Sequence, residues 1–198
     1  MLVFWKENLV FLSVPKTGTT AMQAALAPRA DMVFRGPPQI KHAPLYRYNR
    51  FLRPYYNKAG GQNPETLAVI RHPVEWLSSW YRYRNRNALV GHPNSTRNVD
   101  FDAFVLEYCK PEPATFAKVG TQAAYVYAND GVREVTHLYR YEAQPKVIAF
   151  LEDRLKLTLA LPTLNVSPTI PAKLSPDVAQ KLLAAHPREF AAWDQAIG

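Results

Sequence analysis

The stretch LVFLSVPKTGTTAMQAAL, from Leu9 to Leu26, decides how this chain is read. It opens with a near-continuous apolar run, Leu9–Val14, the pattern of a strand covered on both faces. It closes with Thr20–Leu26, which reads as a helix. Between them stands Pro-Lys-Thr-Gly-Thr-Thr, residues 15–20. A glycine-containing turn ahead of a helix exposes backbone N–H groups that have no partner inside the helix. Together with the helix dipole these groups favour an anion, typically phosphate. Gly18 lets the backbone approach closely, the hydroxyls of Thr17, Thr19 and Thr20 can donate to oxygens, and Lys16 adds a movable point charge. An ordinary strand–turn–helix with threonine caps is the competing reading of this stretch alone. The order of residues is not that of the nucleotide triphosphatase loop G-x-x-x-x-G-K-[ST], because the lysine precedes the glycine and no upstream glycine opens the turn.

Outward from this loop, further strand-like runs fall at Met32–Phe34, Thr66–Ile70 and Val135–Tyr139. Helix-like segments fall at Val74–Arg84, Asp100–Tyr108, Gln144–Leu155 and Pro176–Ala185. Pro73 suits a helix start and Asp100 an N-cap. The opening MLVFWKENLVFLSV reads as a first hairpin or strand rather than a signal peptide, since no basic leader or cleavage site accompanies it. Residues 60–64 form a turn, and Leu161–Pro176 is a proline-rich excursion. Strands alternating with helices predict an α/β fold with a mostly parallel sheet, and the length suits a single domain over residues 1–198. In such sheets ligands bind where strands end and helices begin.

Composition narrows the class. Of 198 residues, 47% are hydrophobic and 20% charged, and no apolar stretch is long enough to span a bilayer. The one cysteine, Cys109, excludes an internal disulfide and a multi-cysteine metal cluster. It reads as a packed, inert thiol in a reducing cytoplasm. The net charge of +8 favours anionic partners. Basic residues alternate with aromatics in LYRYNRFLRPYY (45–56) and SWYRYRNRN (79–87). That pattern suits single-stranded nucleic acid, or else core rings interleaved with solvated arginines.

A second loop strengthens the phosphate reading. VIRHPVEWLSSWYRYR (69–84) puts Arg71 at a strand end and Ser78 and Ser79 on the helix that follows. An arginine and a serine hydroxyl brought together there would grip a second phosphate, Arg71 in bidentate fashion.

VPKTGTT (14–20) followed by VIRHPVEWLSSWYR (69–82) resembles the sulfotransferases that use 3′-phosphoadenosine 5′-phosphosulfate (PAPS), especially the carbohydrate branch. The segments FDAFV (101–105), LYRYE (138–142) and LPTLNVSP (161–168) also look familiar, so the resemblance runs from Leu9 to Pro168. It implies a P-loop-like three-layer fold and an enzyme that sulfates a hydroxylated acceptor such as a glycan. It further implies that Pro15, Lys16, Thr17, Gly18, Thr19 and Thr20 hold the 5′-phosphosulfate, and that Arg71 and Ser79 hold the 3′-phosphate. The small-molecule branch carries a C-terminal Arg-Lys-Gly segment over the cofactor. Here NVSPTIPAK (165–173) stands in its place, with Ser167 and Lys173 as candidate contacts. The Golgi relatives' membrane anchor is missing, which suits a bacterial-type cytoplasmic enzyme.

In-line sulfuryl transfer rests on positioning and electrostatics. Lys16 and the loop amides would neutralise charge on the leaving phosphate, so no metal is demanded, and the five histidines form no metal-ligand pattern. His42, after Lys41, sits where related enzymes carry a catalytic histidine, and is the expected base, with a glutamate as the alternative. Arg47, Arg50 and Arg53 would suit an acidic or polyhydroxylated acceptor. The rivals are a basic–aromatic nucleic-acid-binding module and a small-molecule kinase on the same frame.

Overall fold

The computed structural model describes residues 1–128, 132, 134–162 and 170–198. In chain order the strands and helices are β1 (Leu2–Phe4), β2 (Leu9–Phe11), α1 (Thr19–Leu26), β3 (Met32–Val33), α2 (Pro38–Lys41), α3 (Leu45–Arg47), α4 (Arg53–Gly60), β4 (Glu65–Ile70), α5 (Pro73–Arg84), α6 (Phe101–Tyr108), β5 (His137–Arg140), α7 (Gln144–Leu155), α8 (Pro176–Ala185) and α9 (Pro187–Asp194). A π-helical stretch, Tyr48–Leu52, joins α3 to α4. The Arg53 N–H closes it on the Tyr48 carbonyl, and Pro54, with no N–H, cannot extend an ordinary ladder there. No helix among the described residues is long and apolar enough to cross a membrane.

The fold is α/β, with one open five-stranded sheet in the order β3-β1-β2-β4-β5. The sheet is mixed rather than mostly parallel. β2 pairs with β4 and β4 with β5 in parallel, whereas β1 runs antiparallel to both β2 and β3. The reason is the connection. β1 and β2 are joined by a tight turn in which the Asn8 N–H meets the Trp5 carbonyl at 3.1 Å, and a parallel pair would need a crossover of a dozen residues or so. The predicted strand Leu9–Val14 ends early as a ladder, at Phe11. Leu12 N still donates to Leu67 O at 2.8 Å, but Val14 N turns back to Leu12 O at 3.1 Å, which bends the chain off the sheet and into the loop.

The chain divides into two compact units. The first comprises the described residues of Met1–Arg71, Gln122–Leu164 and Gln195–Gly198, and holds the whole sheet. Its core joins Leu2, Phe4, Leu9, Phe11, Leu67 and Val69 of the strands to Met22 and Leu26 of α1 and Val147, Leu151 and Leu155 of α7. The alternate strand residues Val3, Val10, Ala68 and Leu138 are also fully buried, so the sheet is covered on both faces as the apolar runs required. The second unit comprises the described residues of His72–Thr121 and Asn165–Asp194 and is helical. Trp76, Leu77 and Tyr81 of α5, Phe101, Phe104, Val105 and Tyr108 of α6, and Val178 and Leu182 of α8 form its core. The Asp100 side chain caps α6 by accepting from Ala103 N at 2.7 Å.

Candidate anion-binding site

β2, β4 and β5 run parallel, with Phe11 beside Leu67 and Ile70 beside Arg140. The segments that follow their last residues therefore leave one edge of the sheet together. These are the loop 15–20, Arg71, and the turn Tyr141–Ala143. All three belong to the first unit.

The loop has an unusual backbone. Lys16 takes φ 69° and Gly18 takes φ 72°, both in the left-handed region that side chains disfavour. Gly18 stands at the N-cap of α1, where no side chain caps the helix, and its carbonyl already accepts from the N–H groups of Ala21 and Met22. Gly18 has no side chain with which to cap the Thr19 and Thr20 amides ahead of Ala21, and a helix start of this kind is the arrangement that holds an anion. Thr17 is buried, and its hydroxyl donates to Val14 O at 2.9 Å. It therefore staples the turn instead of offering its hydrogen to a ligand, as the sequence had suggested. The Thr20 side chain is exposed, Thr19 is buried, and Pro15 and Lys16 are half-buried.

Arg71 is fixed from two directions. Gln122, fully buried, accepts from Arg71 N through Oε1 and donates to Arg71 O through Nε2, each at 2.8 Å. The Arg71 guanidinium lies over the Tyr141 ring, 4.9 Å from its centre. Tyr141 also abuts the loop: a Cβ placed on Gly18 would stand 3.2 Å from its Cε2. One aromatic ring therefore stands beside both Gly18 and Arg71. Neither Gln122 nor Tyr141 is evident as a site residue from sequence, since a lone glutamine in a loop carries no pattern and a tyrosine after a strand resembles core.

His42 ends α2, and its Nδ1 lies 2.7 Å from the carbonyl oxygen of Ser13, just upstream of the loop. A carbonyl only accepts, so Nδ1 carries the hydrogen and the neutral ring keeps its lone pair on Nε2. Burial holds the His42 pKa below its usual 6.5; the Ser13 hydrogen bond opposes that shift, and the charge of Lys41 adds to it. The Tyr125 hydroxyl donates to the His42 carbonyl at 2.7 Å, which anchors the end of α2. The arrangement keeps a basic nitrogen unprotonated near neutrality, close to the anion loop.

The remaining candidates divide. Arg47 is half-buried, donates to Gln39 O at 3.2 Å, and lies near enough to Tyr125 to act on it electrostatically. Arg50 is exposed, with its guanidinium 5.3 Å from the centre of the Phe51 ring. Arg53 forms an ion pair with Glu134, which also accepts from Asn49, and so serves the fold. In the second unit Ser79 is 8% exposed on α5, and the neighbouring Ser78, 1% exposed, has a hydroxyl with no partner among the described residues. Lys173 is exposed, and Ser167 lies outside the described residues. His72 packs edge-on against Phe190 and Trp193, His186 stacks on Tyr108, and His137 meets Glu65 at 2.9 Å.

The basic–aromatic stretch 79–87 is structural over much of its length. Tyr81 is core, Arg82 donates to Ile170 O, and buried Arg84 holds the carbonyls of Thr115 and Lys118. Arg86 lies on the Tyr83 ring and donates to the Tyr83 carbonyl. These guanidiniums satisfy backbone carbonyls and do not form a row of free phosphate contacts. Compared with known proteins, the chain matches no family model, no curated protein and no solved structure.

Proposed function

We propose that this chain is a sulfotransferase that moves a sulfuryl group from PAPS to the hydroxyl of a polyhydroxylated acceptor, such as a carbohydrate, on a P-loop-like frame. The observation that carries this reading is the pairing, at one sheet edge, of a helix start capped by Gly18 with Arg71, both beside the Tyr141 ring. Two cationic, donor-rich positions joined by an aromatic ring suit a nucleotide with a phosphate at each end.

The residues present fit such a donor. The loop amides from Lys16 to Thr20 and the Lys16 ammonium would hold the 5′-phosphosulfate, and Arg71 the 3′-phosphate. During transfer the S–O bond to the phosphate breaks and an S–O bond to the acceptor forms. Lys16 and the amides compensate charge on the departing phosphate oxygen, and His42 Nε2 takes the acceptor proton. Arg47 stands on the His42 side, by way of Tyr125, and would orient the acceptor. The nucleic-acid reading loses much of its footing because the arginines of 79–87 are committed to carbonyls.

A transfer assay with labelled PAPS over a panel of hydroxylated acceptors tests the proposal. Transfer that is lost in Lys16→Ala, with the thermal midpoint kept, supports it. Nucleoside triphosphate turnover that requires Mg²⁺ would replace it with the kinase reading.

A further inference from the structure

Between Asp31 and Glu65 the chain contains no Asp or Glu, yet it carries Arg35, Lys41, Arg47, Arg50, Arg53 and Lys58. Within this span the run from α3 to α4 buries Leu45, Tyr48 and Tyr56 and leaves a continuous outer side. That side consists of Tyr46, Arg50, Phe51, Pro54, Tyr55 and Lys58, all exposed. The spacing explains the alignment. A π-helical stretch brings residues five apart onto one side, which sets Phe51 beside Tyr46, and α-helical spacing places Tyr55 four positions further on. Phe51 and Tyr55 are each 62% exposed, and Ile40 on neighbouring α2 is 46% exposed. Arg47 ties α2 to this ridge through the Gln39 carbonyl. Soluble surfaces seldom line up large apolar side chains in this way without a partner.

We propose that the α3–α4 ridge is a membrane-docking surface that seats the protein on an anionic lipid bilayer, with Phe51 and Tyr55 entering the interface and Arg50 and Lys58 meeting lipid phosphates. Helices of this kind combine an apolar face with basic residues and lie in the plane of the interface. Charge complementarity selects the lipid: the ridge belongs to a carboxylate-free span, and Glu134, which meets the run at Asn49 and Arg53, is neutralised by Arg53. Stacking partners such as bases or sugar rings fit less well. The Phe51 ring already carries the Arg50 guanidinium at 5.3 Å and the Tyr46 ring carries that of Arg47 at 5.7 Å, so one face of each ring is taken. Phe51 also has no hydrogen-bonding atom with which to read a polar ligand. Dehydration of exposed rings beside a field of phosphates uses every element of the ridge.

Co-sedimentation of the full chain with phosphatidylcholine vesicles, with and without phosphatidylglycerol, tests the proposal independently of any nucleotide. Binding to the anionic vesicles is expected, weakening with salt and by about fivefold for each of Arg50→Gln and Lys58→Gln. Phe51→Glu/Tyr55→Glu should abolish it while the thermal midpoint stays within a few degrees, and Phe51→Ala/Tyr55→Ala should weaken it by about tenfold or more. Three results would overturn the proposal: no sedimentation with anionic vesicles, full binding by the Phe51→Ala/Tyr55→Ala variant, or saturation by an oligonucleotide or sulfated polysaccharide under conditions where vesicles do not bind.

Discussion

The side-chain amide of Gln122 grips the main chain of Arg71 on both its donor and its acceptor, at 2.8 Å each, much as a neighbouring strand would. Arg71 is the first residue beyond β4, where the sheet ladder stops, so Gln122 extends the ladder by one residue with a side chain. Replacement by Leu removes both hydrogen bonds and should cost about 1–3 kcal/mol. Gln122→Glu keeps an acceptor for Arg71 N but sets a carboxylate oxygen against Arg71 O, and should not rescue. Denaturant midpoints of the three proteins decide this, and a neutral Gln122→Leu would remove the clamp from the account.

The left-handed backbone of the loop yields a paired test. Lys16→Gly relieves a strained φ that Lys16→Ala retains, so the glycine variant should be more stable than the alanine variant by about 1 kcal/mol. Gly18→Ala should lose about 1–3 kcal/mol, because it adds strain at φ 72° and a Cβ that crowds Tyr141. Gly61→Ala, at φ 65° with nothing within 4 Å, should lose only the conformational part. Equal losses at Gly18 and Gly61 would mean that Tyr141 does not restrict the loop.

His42 makes the folded state sensitive to acid. Its native pKa lies below the unfolded value of 6.5, chiefly through burial, so the unfolded chain takes up the proton first as pH falls. The stability that His42 contributes is therefore full above 6.5 and declines as pH drops from there through the lower native value. His42→Asn, whose amide N–H can replace Nδ1–H toward Ser13 O, should flatten that decline. In the transfer assay it should lower turnover by about 10²–10⁴-fold with little change in donor affinity. Urea titrations on either side of 6.5, together with a pH–rate profile, measure both.

A second titrating group sits at the opposite ends of the strands. Glu65 begins β4 and accepts from Arg154 at 2.6 Å, with His137 at 2.9 Å. The His137 hydrogen bond, followed by the charge of Arg154, holds its pKa below 4.5. Its contribution is present above 4.5 and is lost as pH falls through the depressed native value. The group is partly exposed, so Glu65→Gln should cost on the order of 1 kcal/mol or less near neutrality. The variant should show a shallower loss in acid, read as the pH dependence of the thermal midpoint.

Much of the sheet and its helices was legible because periodicity and caps agreed. Gln144–Leu155 and Pro176–Ala185 form helices over the predicted residues, and Asp100 caps α6. The segment from Pro37 to Gly60 was not legible. No helix was expected there, yet Pro38 and Pro54 stand in the first turns of α2 and α4, where a missing N–H costs nothing. Helix α9, opened by Pro187, was not expected either. Of the candidate site, the residues with distinctive chemistry, Lys16, Gly18, His42 and Arg71, were visible. Those that hold them, Gln122, Tyr141 and the Ser13 carbonyl, were not, because their roles arise from which strand ends lie side by side.

The most direct test of the central claim is calorimetric titration of the intact chain with adenosine 3′,5′-bisphosphate. The account predicts saturable binding at one site, weakened by about tenfold or more in both Lys16→Ala and Arg71→Ala. Absence of binding at millimolar nucleotide, or affinity indifferent to both substitutions, would contradict it.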